Sequence, residues 1–134
     1  MKSNLYLCAF ASDDLNLSVK RLMSQAQKFN AYKEIKIFRQ LDLSEEINNR
    51  IKNIIKMKGR YLFGFEIWKQ FIINKYISSI PENSILHYCD IGCHINLKGL
   101  KRFEEYILLV EKYDALVFDY SDPPEKFKNL NYKF

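Results

Sequence analysis

Two rhythms of apolar positions alternate along this chain. Residues 4–10, NLYLCAF, form a short apolar and aromatic run of the kind a buried strand makes, and Leu15, Val19, Leu22, Met23 and Ala26 then recur at helical spacing. Ser12 or Asp13 stands where such a helix is capped. The pair repeats: EIKIFRQ (34–40) alternates like a strand, and Ser44 opens a second helix with Ile47, Ile51, Ile54 and Ile55 on one face, ending before Gly59. A third helix is predicted over about 65–79, carrying Ile67, Trp68, Phe71, Ile72 and Tyr76, with Pro81 closing it. SILHYC then reads as a third strand. An amphipathic segment over 97–113 turns Leu100, Phe103, Ile107, Leu108 and Val110 toward a core, and ALVFDY (115–120) reads as a fourth strand.

Strands separated by helix-length crossovers predict an α/β domain: a mostly parallel sheet of about four strands with helices on both faces, over residues 1–120. Residues 121–134 open with two prolines, lack a period and are expected to form a tail. In such sheets ligands bind beyond the carboxyl ends of the strands, where strand order reverses. The informative stretches are therefore ASDD after the first strand, QLD after the second and DIGC after the third.

Composition adds constraints. The chain has 134 residues, 48% hydrophobic and 28% charged, with no apolar run approaching the roughly 18 residues of a membrane-spanning helix. The first residues resemble a strand rather than a secretory signal, and a cytoplasmic location is expected. Three cysteines, an odd number, predict reduced thiols rather than a disulfide framework. The net charge of +5 concentrates in RIKNIIKMKGR, where Arg50, Lys52, Lys56, Lys58 and Arg60 occur with no acid. That surface attracts anions without choosing among nucleic acid, acidic membrane and phosphorylated small molecules.

The densest chemistry lies in ILHYCDIGCHIN (85–96). A zinc site is disfavoured, because on a strand His87 and Cys89 face one side while Tyr88 and Asp90 face the other. Cys93 lacks a nucleophile motif, and buried small thiols are the expected reading. Asp90 has two readings: a turn aspartate bonded to nearby backbone, or an acid at a ligand site, beside a Gly92 that lets backbone or ligand approach. Ser12, Asp13 and Asp14 read as a helix cap or as a turn cupping a nucleobase or ribose. GRYLFGFEIWKQF (59–71) reads as a loop entering an aromatic-faced helix with Trp68 in the core, or as a source of cations, Arg60 or Lys69, for phosphates.

Three stretches, FASDDLNLSVKRLMSQAQKF, GFEIWKQFIINKYISSIPENSILHYCDIGCHIN and RFEEYI, resemble a family of bacterial glycosyltransferase-like proteins of surface polysaccharide synthesis, capsular or lipo-oligosaccharide. That family reads Phe-x-Ser-Asp, then Gly-Tyr-Trp-x-Trp-Lys-Pro, then Tyr-x-Asp-Ala-Gly-Cys, and the likeness runs through most of residues 6–119. It implies the Rossmann-like, amino-terminal donor-binding half of a GT-A fold, and a sugar transferase using a nucleotide-diphosphate sugar and a saccharide acceptor. Ser12, Asp13, Arg60, Lys69, Asp90 and Gly92 would bind the donor, and Asp90 would hold a divalent ion, manganese or magnesium. Departures are Glu66 for an aromatic, Gln70 for proline, Ile91 for alanine, and Gly92 where an Asp-x-Asp element carries its second acid. Members of such families run on by about a hundred residues, so the chain is expected to be the donor-binding part. No general base is identifiable. Two alternatives stand: a non-catalytic nucleotide-binding remnant, and a basic module binding nucleic acid or anionic membrane. In the transferase reading no nucleic acid is expected, membrane contact is at most peripheral, and a homodimer is possible.

Overall fold

A computed structural model describes residues 4–59 and 62–118. The chain divides into two compact units, Met1–Leu100 and Lys101–Phe134. The first unit holds β1 (Leu5–Phe10), α1 (Asn16–Phe29), β2 (Glu34–Phe38), a 3-10 turn at Gln40–Asp42, α2 (Glu45–Lys58), a kinked turn α3 (Leu62–Phe65), α4 (Trp68–Ile77) and β3 (Ile85–Tyr88).

The three strands form one parallel sheet in the order β2-β1-β3. β1 is central, and all six of its residues are buried, as its unbroken apolar run requires. Tyr6, Cys8 and Phe10 point to one face, into a core with Phe38, Leu43, Ile51, Trp68, Ile72 and Tyr76 from β2 and the α2–α4 segment. Leu5, Leu7 and Ala9 point the other way, and the buried Leu22, Ala26 and Phe29 of α1, absent from that core, cover them. Helices on opposite faces follow from the strand order: one right-handed crossover leads left to β2, the next leads back across β1 to β3.

Local chemistry explains most boundaries. The Ser44 hydroxyl accepts from the Ile47 backbone N–H at 3.2 Å and caps α2, whose C-cap Gly59 has φ 77°. The cap expected for α1 from Ser12 or Asp13 does not form: a turn closed by Leu15 N–H on the Ser12 carbonyl (3.0 Å) intervenes, and α1 starts at Asn16 without a side-chain cap. The helix expected over 65–79 is shorter, because Phe63 (φ 46°), Gly64 (φ 80°) and Glu66 (φ 56°) are left-handed. Gly64 is where a glycine is needed, since a Cβ there would come within 3.2 Å of the Ile51 backbone and side chain.

The second unit contains α5 (Leu100–Tyr113), which begins at the boundary. None of its residues is buried, and Leu108 is 64% exposed, so the core-facing stripe read from its sequence has no buried counterpart among the described residues. Residues 115–118 form no strand, and the rest of the predicted fourth strand, like the predicted tail at 121–134, lies outside the described residues. The described sheet therefore has three strands rather than about four.

Candidate functional site

The register of the sheet sets the site. Leu5 pairs with Ile85 and Cys8 with Tyr88, and the Cys89 N–H continues the ladder to the Cys8 carbonyl at 3.1 Å. Asp90 thus leaves the sheet level with Phe10, and Ser12 leaves two residues beyond it. Between these two strand ends, where the order reverses, lies a hollow of about 330 Å³ lined by Phe10, Ser12, Asp14, Leu15, Phe63, Glu66, Trp68, Asp90 and Ile91. That volume is at the lower end of small-ligand sites, roughly 300–1,000 Å³. The lining is an apolar wall with oxygen acceptors on it. Phe10 and Trp68 stack in that wall with ring centroids 4.2 Å apart. The Trp68 indole Nε1 is buried and has no hydrogen-bond partner among the described residues.

Asp90 stands at the centre of a charged cluster. Its Oδ1 accepts from the Tyr88 hydroxyl at 2.6 Å and lies 3.3 Å from Lys69 Nζ. The same ammonium donates to Glu66 Oε2 at 3.0 Å, and it lies over the rings of Tyr88 (5.2 Å to the centroid) and Trp68 (5.9 Å). Partial burial works against the charge on Lys69, but bonding and attraction from Glu66 and Asp90 outweigh it and raise its pKa, so it is a standing cation. Burial and the bond to Asp90 raise the Tyr88 pKa, which keeps its hydroxyl protonated and donating.

The turn after β1 divides its residues. Ser12 is 3% exposed and donates to Asp14 Oδ1 at 2.6 Å, and both line the hollow. Asp13 faces away: its backbone N–H bonds Gln40 Oε1 at 3.0 Å, and its carboxylate lies 3.8 Å from Arg39 Nη2, on the β2 side. Of the donor-binding residues expected from the sequence, the structure brings Ser12, Asp90 and, through Asp90, Lys69 together, and it turns Asp13 outward. Gly92 is followed by open space, with nothing within 4 Å of an added Cβ, so no close approach demands a glycine there. Arg60 lies outside the described residues. The donor-binding residues expected from the sequence left out Asp14, although its turn had been read as one that could cup a nucleobase or ribose, and Glu66, which stood only as a departure from an aromatic.

Helix α1 holds the loop that carries Asp90. The turn Asp90–Cys93 is closed by Cys93 N–H on the Asp90 carbonyl at 2.9 Å. Arg21 Nη2 donates to the carbonyls of Ile91 (2.6 Å) and Cys93 (3.3 Å), while Gln25 Oε1 accepts from the Ile95 N–H at 3.1 Å. His87 lies on the other face of the sheet, its Nδ1 2.8 Å from the Tyr32 hydroxyl. It does not converge with Asp90, as strand alternation predicts.

Asp90 was expected to hold a divalent ion. Such an ion gathers about six oxygens, whereas Asp90 and Glu66 converge on a point held by the Lys69 ammonium. Among the described residues no group of three His, Cys, Asp or Glu side chains is arranged to hold a metal. No described helix is long and apolar enough to cross a membrane. Comparisons of the chain with protein-family models, with curated proteins and with solved structures find no match.

Proposed function

We propose that this is the donor-binding half of a GT-A-like sugar transferase of surface polysaccharide synthesis, taking a nucleoside-diphosphate sugar into the hollow between β1 and β3. The observation that carries the reading is the meeting of the Ser12–Asp14 turn and Asp90 around one cavity at the strand-order reversal of a parallel sheet. The chemistry of the lining supports it. Carboxylates accept hydrogen bonds from ribose or sugar hydroxyls, the aromatic wall covers an apolar ring face, and Lys69, paired with the lining acids Glu66 and Asp90, supplies a cation for the diphosphate. In the transfer step an acceptor hydroxyl attacks the anomeric carbon and gives up its proton to solvent. The bond to the diphosphate breaks with its electron pair on the leaving group, and a fixed cation beside that group lowers the barrier.

Trp68 is the chain's single tryptophan and lines the hollow, so its fluorescence reports occupancy. Titration with UDP, GDP, CDP and their sugar conjugates is expected to change that fluorescence saturably for one nucleotide class, and Asp90→Asn is expected to weaken the response. A panel that leaves the fluorescence and the melting temperature unchanged contradicts the proposal. A response without sugar transfer or donor hydrolysis selects the non-catalytic remnant.

One observation favours a second reading. Arg50, Lys52, Lys56 and Lys58 are all exposed on α2, so this helix carries a concentration of positive charge that attracts a polyanion. Binding to RNA, heparin or anionic vesicles that falls steeply with salt and with Lys52→Ala and Lys56→Ala selects that module instead.

A further inference from the structure

We infer that Lys69 takes the place of a divalent metal at this site: its ammonium, held between the Glu66 and Asp90 carboxylates, is the built-in cation for the donor's diphosphate. The inference rests on the nucleotide-sugar reading for its ligand, but its geometry stands alone. Nζ lies 3.0 Å from Glu66 Oε2 and 3.3 Å from Asp90 Oδ1, so the ammonium bridges the two acids. Glu66, whose backbone is left-handed (φ 56°), precedes Lys69 by three residues at the start of α4. Two aromatic faces, Tyr88 and Trp68, flank the ammonium and favour a cation there. The Tyr88 hydroxyl takes up Asp90 Oδ1 as well, the oxygen nearest the lysine.

A lysine supplies one positive charge and three donors, with no demand for further oxygen ligands. Two acids and one ammonium leave the cluster with a net negative charge of one. A diphosphate reaching Lys69 has to displace one of the acids from the three ammonium hydrogens. Exchange of partners by one flexible side chain would let the same cation serve the resting site and the leaving group.

Two measurements test this, and the first needs no nucleotide. Calorimetric titration of the full chain with Mn2+ alone is expected to show no binding for the wild type. Lys69→Met, which removes the ammonium from between the two carboxylates, is expected to show saturable Mn2+ binding, because affinity for such ions follows the number of charged ligands. Lys69→Gln serves if the methionine variant does not fold. In the second measurement, the Trp68 fluorescence response to UDP is expected to survive EDTA in the wild type and to require Mn2+ in the Lys69 variants. Tight Mn2+ binding by the wild type, or variants that gain none, overturns the inference, as does a wild-type UDP response that EDTA abolishes and Mn2+ restores. If the wild type ignores UDP under every condition, the donor reading fails while the Mn2+ titration still decides whether Lys69 holds a cation's place.

Discussion

Cys8, Cys89 and Cys93 share a chemistry but not an environment. Burial pushes the thiols of Cys8 and Cys89 up to about 12, whereas Cys93 is exposed on the turn after β3. Since the thiolate is the reacting form, a thiol reagent at neutral pH should label Cys93 first, the half-buried Cys89 more slowly and Cys8 only as the protein unfolds. Mass spectrometry of the labelled peptides checks this, and early labelling of Cys8 would show that the central strand is not buried as described. His87 gives a second test at this scale. Burial lowers its pKa from the ordinary 6.5, so the folded protein binds that proton less readily than the unfolded chain. Its contribution to stability is complete above pH 6.5 and declines as pH falls toward the lower folded value. The melting temperature of His87→Phe is therefore expected to fall less between pH 7 and pH 5 than that of the wild type; an equal fall would mean that His87 is not held neutral.

Elements were legible where period and local chemistry agreed. β1, β2, β3 and α2 with its Ser44 cap could be read from the residues because an apolar run, an alternation or a cap fixes each one locally. The break before α4 could not. The left-handed conformations of Phe63 and Glu66 come with the close seating of Gly64 on Ile51, a contact between segments that no neighbouring residue announces. The site was half legible for the same reason. Ser12 and Asp90 are strand-end residues in any parallel sheet of this order, but whether Asp13 or Asp14 turns inward depends on a tight turn and on Gln40 and Arg39 of the next crossover. At this scale Arg21 is the tie between α1 and the Asp90 turn. Arg21→Met removes charge-assisted bonds to two carbonyls, a loss of roughly 1.5–3 kcal/mol for such groups. Faster amide exchange confined to about residues 89–95, with lower stability in denaturant, is the expected result, and unchanged exchange there would show that the turn holds its shape without α1.

Over the whole molecule, charge is spread unevenly. The described lining of the hollow carries the carboxylates of Asp14, Glu66 and Asp90, while α2 carries the exposed Arg50, Lys52, Lys56 and Lys58. The two surfaces invite different ligands, hydroxyl-bearing ones at the hollow and extended polyanions at the helix, so the place where a ligand binds identifies the function more directly than its affinity does. For a nucleotide bound to the native state alone, ligand at about 100 times Kd adds roughly 2.7 kcal/mol of stability. That is enough for a clear rise in Tm. Asp90→Asn is expected to remove most of that rise while leaving the ligand-free Tm close to wild type, since Asp90 is exposed and its pairing with Lys69 lies in solvent reach.

The most direct test is a map of amide chemical-shift changes in the 15N-labelled chain as UDP and a UDP-sugar are added, with the Trp68 indole signal followed alongside. The account predicts that the changes cluster at residues 10–15, 66–69 and 88–92, around the hollow. Changes confined to α2, or none at saturating nucleotide, would contradict it.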